Sequence, residues 1–372
     1  MNIGILIPGF SASETDWSIP VYQNFIRELA RDHFVRVFPL RYPFTREPYE
    51  VFGAEVFPFD GGSSTAGLGR WRLLWNVDQV VKENHQIVPF DVLHAIWADE
   101  TGYVANRIGR QLDIPTVVSV AGGELVGLHE INYGLQLGVV TSWLVQQAIK
   151  HATMIVAPSA YAASLVNQYA AHQGLRLGER LRQVPLGVDT SLFKLPSEET
   201  RRREFVHVAS LTPVKRQDLL LELLAKMPGA HLEIVGDGSL REYLGNLADE
   251  LGVMERVTFR GAIPHPQLAA YYQSAQWLLM TSQHEAFCMA AVEAAACGVG
   301  VIGTAVGVLP EIGAVAPFGD MQSLLAQVVA RRHIRRGNTI EEQRQKIEQH
   351  YSLRAMVGGL LDVYEDAIRS GR

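Results

Sequence analysis

"WLLMTSQHEAFCMAAVEAAACGVGVIGT", residues 277–304, holds two carboxylates in a stretch that is otherwise almost wholly small and apolar. Trp277–Thr281 is a short continuous apolar run and reads as a buried strand. Ser282–Glu285 then forms the loop leaving its carboxyl end, Ala286–Ala296 a helix, and Gly300–Gly303 the next strand. Strand, helix and strand in so few residues make the βαβ unit of a parallel sheet. In that unit Glu285 stands beside a helix N-terminus, and Glu293 lies two turns into a helix among Ala290, Ala291, Ala294 and Ala295. If both were helical, eight residues at ~100° each would leave them ~80° apart. Small neighbours let a ligand come close, and a half-buried carboxylate needs hydrogen-bond donors. Sugar hydroxyls are such donors; an arginine in a structural ion pair would serve equally.

The same rhythm runs in both directions. Strands are expected at Ile3–Pro8, Val35–Pro39, Val92–Ile96, Thr116–Val120, Met154–Ala157 and Arg182–Pro185, with helices such as Val21–Arg31 and Tyr103–Leu112 between them. From Arg201 it restarts with Phe205–Ala209, His231–Val235 and Val257–Phe259. Two parallel α/β sheets in tandem follow, divided in "PLGVDTSLFKLPSEETRRRE", residues 185–204, where prolines and charges break the periodicity. Open α/β sheets bind ligands beyond the carboxyl ends of their strands, so a cleft between the two domains is the expected site. "FDGGSSTAGLGRWRLLW", residues 59–75, reads as a mobile loop leading into a helix. Trp71 and Trp75, one turn apart beside Arg70 and Arg72, read first as packing onto the sheet, with an interfacial or substrate-facing surface as the alternative.

Composition narrows the classes. With hydrophobic residues at 48% and charged residues at 19%, 372 residues bury substantial cores and suit two domains. A net charge of −6 gives no global attraction to nucleic acid or anionic lipid, so an anionic ligand must be held locally. Cys288 and Cys297, the only cysteines, are too few for a disulfide framework or a ligand cluster and suit a reducing, cytoplasmic compartment. "MNIGILIPGF" reads as a first strand rather than a signal peptide, and no segment has the ~18 uninterrupted apolar residues of a membrane span.

A second constellation is "VASLTPVKRQDLLLELLAKM", residues 208–227, a strand end and a helix with Thr212 as N-cap and Pro213 as first residue. This places Lys215 and Arg216 in the first turn. Cations there oppose the helix dipole at roughly 0.3–1 kcal/mol each, whereas an anion would be favoured by the charges and the free N–H groups. Asp218 offers a local partner, so a solvated basic turn is the competing reading. "VGDGSL", residues 235–240, adds a strand-to-turn signal in which Gly236 and Gly238 permit close backbone approach to a ligand. No dinucleotide fingerprint, phosphate-binding loop, HExxH or Asp-x-Asp pair occurs, so no metal is expected.

These residues carry a resemblance. "SQHEAFCMAAVEAAACGVGVIGTAVGVLPEI", residues 282–312, resembles the Glu-x7-Glu segment of retaining, nucleotide-sugar-dependent glycosyltransferases of family 4. "SLTPVKRQDLLLEL" resembles the family's donor-phosphate segment, "VGDGSLREYL" its glycine turn and "RQVPLGVDTSLF" its domain junction. "FDVLHAIWADETGYVANRIGRQLDIPTVVSVAGGEL" resembles its acceptor-domain core, and "HYSLRAMVGGLLDVYEDAI", residues 350–368, its last helix, which crosses back to the first domain. The likeness covers nearly the whole chain.

The resemblance implies the GT-B architecture of two Rossmann-like domains facing a cleft, an acceptor domain over 1–188 completed by 352–372, and a nucleotide-sugar donor domain over 189–351. It implies Glu285 and Lys215 as the catalytic pair, the glutamate facing the hydroxyls of the transferred sugar and the lysine neutralising the departing diphosphate. Backbone N–H groups of Ala286, Phe287 and Cys288 would approach sugar and diphosphate, Glu293 would hold the ribose, and Gly9 and Gly122 would approach from the acceptor side. The chain departs from the pattern at Ser210, where the family commonly has Arg, leaving Arg216 to complete the clamp. It departs again at Ala121, in the place of a common His, while His94 reads as structural. The expected activity is metal-independent, retaining transfer from a nucleotide-diphosphate sugar to a hydroxyl of a glycan, lipid or small molecule. Nucleic acid is not an expected partner, and contact with the inner membrane face stays open. The alternative is a catalytically degenerate protein of the same fold that binds nucleotide sugars without turnover.

Overall fold

The computed structural model describes residues 1–16, 19–62, 66–196, 203–333 and 339–371. Parts of the Gly/Ser-rich loop (63–65) and of the expected break (197–202) lie outside them. The chain forms two compact units: residues 1–187 with 353–372, and residues 188–352.

The first unit has strands β1 (Asn2–Gly9), β2 (Phe34–Tyr42), β3 (Tyr49–Val51), β4 (Ala54–Val56), β5 (Val92–Ile96), β6 (Thr116–Ser119), β7 (Met154–Ala157) and β8 (Leu181–Gln183). Its helices are α1 (Pro20–Leu29), α2 (Gly67–Ile87), α3 (Glu100–Leu112), α4 (Val139–His151) and α5 (Ala160–His172), with a C-terminal helix at Leu353–Ser370. The strands form one sheet in the order β3-β4-β2-β1-β5-β6-β7-β8, parallel throughout except for the β3/β4 pair. Alternate residues of the buried strands face opposite sides. Leu6, Phe38, Leu93 and Val118 meet α2, α3, α4 and α5. Ile5, Val37, Val92 and Val117 meet α1 and the C-terminal helix.

The C-terminal helix is thus core to the first unit, contributing Met356, Leu360, Val363, Tyr364 and Ala367. His94, on β5 beside Ile5, fixes it in place: Nδ1 lies 2.7 Å from Tyr364 Oη and Nε2 lies 2.8 Å from Ser119 Oγ. Burial pushes its imidazole from the ordinary 6.5 down to about 3. Below pH 6.5 the unfolded chain takes up a proton that the folded chain refuses. Stability is therefore present above that pH and is lost as pH falls toward 3, by about 1.4 kcal/mol per pH unit. Urea unfolding of His94→Gln at pH 5 to 6.5 should show a flatter pH slope than the parent; equal slopes would mean that His94 is not buried neutral.

Strand positions differ from expectation mainly at the edges. β3 and β4 form an antiparallel hairpin inside a proline-rich stretch, and a short strand closes the second sheet at Ala314–Ala316; neither has a long apolar run. Trp71 and Trp75 are not packed onto the sheet: they are 41% and 55% exposed, and α2 buries Leu73, Leu74, Val77 and Val81 instead. Trp71 contacts the rings of Tyr103 and Trp143, while Arg70 is buried against Glu100 (2.8 Å).

The second unit has β9 (Arg203–Val208), β10 (Leu232–Val235), β11 (Val257–Gly261), β12 (Ala275–Met280), β13 (Gly300–Thr304) and β14 (Ala314–Ala316). Its helices are α6 (Gln217–Ala225), α7 (Arg241–Glu250), α8 (Leu268–Gln273), α9 (Met289–Ala296), α10 (Leu309–Ile312), α11 (Met321–Arg331) and α12 (Thr339–His350). All strand pairs are parallel, in the order β11-β10-β9-β12-β13-β14. Residues 189–196 pack with this unit: Phe193 is fully buried, and Arg344 on α12 donates to the carbonyls of Thr190, Phe193 and Ala296. No described helix is long and apolar enough to cross a membrane.

Candidate functional site

β9 and β12 are neighbours in the sheet, so the segments leaving their carboxyl ends come together. Beyond β9, Pro213–Lys215 is a single 3-10 turn, and Arg216 takes the left-handed conformation (φ 50°) before α6 begins at Gln217. Lys215 and Arg216 therefore precede the helix rather than occupying its first turn, because a left-handed residue interrupts the helical path. Beyond β12, residues 281–288 are loop, and α9 begins at Met289, three residues later than expected, because Cys288 has φ 88°. Glu285 to Cys288 are accordingly loop, and Glu293 is in the second turn of α9.

The two loops are tied to each other. Gln283 N–H donates to Val214 O (2.8 Å), and Thr281 Oγ donates to Arg216 O (2.8 Å). The result is that Lys215 Nζ donates to Glu285 Oε1 at 2.6 Å, and Ser282 Oγ donates to the same oxygen at 2.7 Å. Glu285 is 9% exposed, and Ser282 and His284 on the same loop are buried as well. The sequence anticipated the lysine and the glutamate, each with a different partner; it did not anticipate their pairing, since 70 residues separate them.

Arg216 is held by a local acid, the competing reading of the basic turn: its guanidinium makes a forked contact to Asp218, with Nη2 2.7 Å from Oδ2, and lies over the Phe318 ring. A turn of two residues lets Asp218 reach back to it. Ser210 is exposed, and its carbonyl accepts from Gln217 Nε2.

Glu293 is 4% exposed, and among the described residues its carboxylate is held by a histidine and a tyrosine rather than an arginine. His265 Nε2 donates to Oε1 (2.8 Å), and Tyr272 Oη donates to Oε2 (3.0 Å). Phe193 packs on both rings. Burial, followed by the adjacent Glu293 charge, pushes the Tyr272 hydroxyl well up, so it stays a donor. His265 and Tyr272 were not singled out in the sequence, because Tyr272 reaches Glu293 through α8 packing on α9 and His265 from the 3-10 turn (His265–Gln267) that leads into α8.

Ala286, Phe287 and Cys288 are all buried, and burial pushes the Cys288 thiol up, leaving it protonated. Among the described residues the N–H groups of Phe287 and Cys288 have no acceptor. The loop is held from behind by Gly307 (φ 58°): Val308 N–H donates to Phe287 O at 2.7 Å, and a Cβ at Gly307 would lie 2.3 Å from that oxygen. Gly236 is required by its own fold, since a Cβ there would lie 1.9 Å from Ala209 O.

Gly9 and Gly122 belong to the first unit. Gly9 ends β1 opposite Tyr42. Gly122 follows β6 in a loop organised by Glu124, a fully buried residue the sequence reading passed over. Its carboxylate accepts from the N–H groups of Ala98 (3.3 Å), Ala121 (2.9 Å) and Gly122 (2.6 Å). An acid inside a glycine turn at a strand end was the available signal. Nearby, Asp99 caps α3, and burial pushes its carboxyl up to about 7. Among the described residues no group of three or more His, Cys, Asp or Glu side chains is placed to hold a metal ion.

Comparison with known proteins gives the geometry its family. Residues 21–192 match the model described as Glycosyltransferase Family 4, and residues 189–316 match Glycosyl transferases group 1. D-inositol 3-phosphate glycosyltransferase of Mycolicibacterium smegmatis is 34% identical over 180 residues, 44% of this chain. The protein of that name from Mycobacterium tuberculosis is 35% identical over 148 residues. These matches span 40% and 30% of the relatives' own lengths. In fold, the chain is similar over its whole length to sucrose-phosphate synthase of Thermosynechococcus elongatus (TM-score 0.80, 18% identity, all of both chains). It is also similar to Anabaena HepE, solved with UDP (TM-score 0.71, 18% identity, 98% of this chain and 100% of that one). Two glycosyltransferase family models in succession thus account for residues 21–316, and with its two parallel-sheet α/β domains the chain belongs among the glycosyltransferases of the GT-B architecture.

Proposed function

We propose that the chain transfers a sugar from a nucleotide-diphosphate donor to an acceptor hydroxyl with retention of anomeric configuration and without a divalent ion, the second unit holding the donor and the first the acceptor. The observation that carries this reading is the Lys215–Glu285–Ser282 cluster, built by the ends of two neighbouring parallel strands. The Lys215 ammonium, tied to the Glu285 carboxylate, would be shared with the diphosphate of a bound donor. Glu285 is left to accept hydrogen bonds from sugar hydroxyls, and the Phe287 and Cys288 N–H groups serve phosphate oxygens. A carboxylate has about four lone-pair sites; Glu293 uses two on His265 and Tyr272 and keeps capacity for the ribose hydroxyls.

In the transfer the C1–O bond to phosphate breaks and a C1–O bond to the acceptor oxygen forms on the same face. The acceptor proton passes to a departing phosphate oxygen, and no side chain is assigned as base. Negative charge grows on the diphosphate, so cations and amides already aimed at it lower the barrier. Free buried thiols at Cys288 and Cys297 suit a reducing cytoplasmic setting.

Transfer from UDP-, GDP- and ADP-sugars to a pooled acceptor panel in the presence of chelator, with product anomers read by proton NMR, tests the reaction. Glu285→Gln keeps the shape and loses the charge, and is expected to turn over roughly 10²-fold more slowly. An unchanged rate would make Glu285 a structural partner of Lys215 only; donor binding without transfer by the parent would favour the degenerate reading.

A further inference from the structure

We propose that the first unit carries a binding site for a neutral glycan chain, built between α2 and the segment that leaves β4. Trp75, Asn76, Gln79 and Glu83 fall at i, i+1, i+4 and i+8, one strip of α2. They form one wall of a cavity of about 490 Å³; Phe57 and Phe59 form the other, and Arg46 borders it.

Both walls are fixed before any ligand arrives. Phe57 N–H donates to Val37 O (2.8 Å) and Phe59 N–H to Pro39 O (3.2 Å), which staples the segment to β2, and the Phe57 ring stacks on buried Phe38 at 5.5 Å. α2 is anchored by Leu73, Leu74, Val77 and Val81, and Gln79 Nε2 is oriented by Asp78 Oδ2 at 3.0 Å. A preformed site spares a ligand the cost of ordering its walls.

The lining selects the occupant. Trp75 is 55% exposed, a flat apolar face of the kind that the C–H face of a pyranose ring covers. Asn76 and Gln79 offer both donors and acceptors, Glu83 an acceptor and Arg46 a donor, the mixture that vicinal hydroxyls satisfy. One cation and one carboxylate balance, so the lining has no net attraction for a phosphate or an acidic sugar. The volume lies within the range of small-molecule sites and exceeds a single ring, which favours a chain. The binding itself stands on the first unit alone; that the bound chain belongs to the acceptor rests on the transfer reading above.

The test uses the full chain with maltotriose, cellotriose and chitotriose as probes at millimolar concentration, followed by tryptophan fluorescence and saturation-transfer NMR. UDP binding is measured separately by calorimetry. Saturable binding of at least one neutral trisaccharide, weakened roughly tenfold or more by Trp75→Ala and by Gln79→Leu and retained in Lys215→Ala, supports the site. Glycan binding without UDP binding would overturn the transfer reading and leave this site standing. The proposal is overturned if no neutral probe binds, if binding ignores both variants, or if a sulfated trisaccharide binds in preference. It is also overturned if Trp75→Ala abolishes association with phosphatidylglycerol vesicles while no glycan responds, which would make this face a membrane contact.

Discussion

Lys215→Ala is expected to lower the transfer rate at saturating donor by roughly 10²–10³-fold, the loss seen when one preorganised charge-stabilising group is removed. The effect should fall on turnover more than on donor affinity, because charge on the diphosphate grows as the glycosidic bond breaks. One complication has a built-in control. Removing the ammonium leaves Glu285, 9% exposed, with Ser282 still donating to it but its ionic partner gone, at a cost of about 1–3 kcal/mol in stability. The double variant Lys215→Ala/Glu285→Gln removes the orphaned charge and should recover thermal stability while staying slow. A single variant as fast as the parent refutes the phosphate role. A double variant that regains both stability and rate assigns the pair to folding alone.

Gly236→Ala should destabilise the second unit by roughly 3–5 kcal/mol, at the top of the range for point substitutions. Its φ of 135° already disfavours any side chain, and a Cβ would stand 1.9 Å from Ala209 O, a main-chain atom with little freedom to move. Gly236 N–H also donates to Gly261 O at 2.8 Å, so relief by backbone rotation would break a link between the ends of β10 and β11. Gly174 provides the comparison: its φ is 70°, but nothing lies within 4 Å of its Cβ position. Gly174→Ala should therefore cost only about 1–2 kcal/mol, the price of the left-handed conformation alone. Chemical denaturation of the two variants beside the parent separates steric from conformational strain; equal midpoints would mean that the strand end yields.

Much of this fold is legible because parallel strands buried on both faces are near-continuous apolar runs. β5 and β7 coincide with the stretches read from the sequence, and β9 to β13 differ by no more than a few residues at their ends. Helix starts were less legible at the site itself. Arg216 and Cys288 adopt left-handed conformations that neither residue type announces, and each delays a helix that periodicity alone would begin earlier. The chemistry shows the same division. Glu285, Glu293 and Lys215 stand out as charges in the wrong company, which one segment suffices to reveal. Ser282, His265 and Tyr272 do not, because their meaning depends on which strand end or helix lies alongside. The β3/β4 hairpin was hidden for a different reason: with three residues per strand, it has too little sequence for a period of two to appear.

Because Leu353–Ser370 supplies core side chains to a unit whose other elements lie before residue 188, order of synthesis matters. On the ribosome, α1 and the face of β1, β2 and β5 beneath it emerge long before the helix that covers them. The intervening unit is complete in sequence at residue 352 and is free to fold first. During that interval Ile5, Val37 and Val92 lack their final cover, which makes the nascent amino-terminal half the segment most in need of a chaperone.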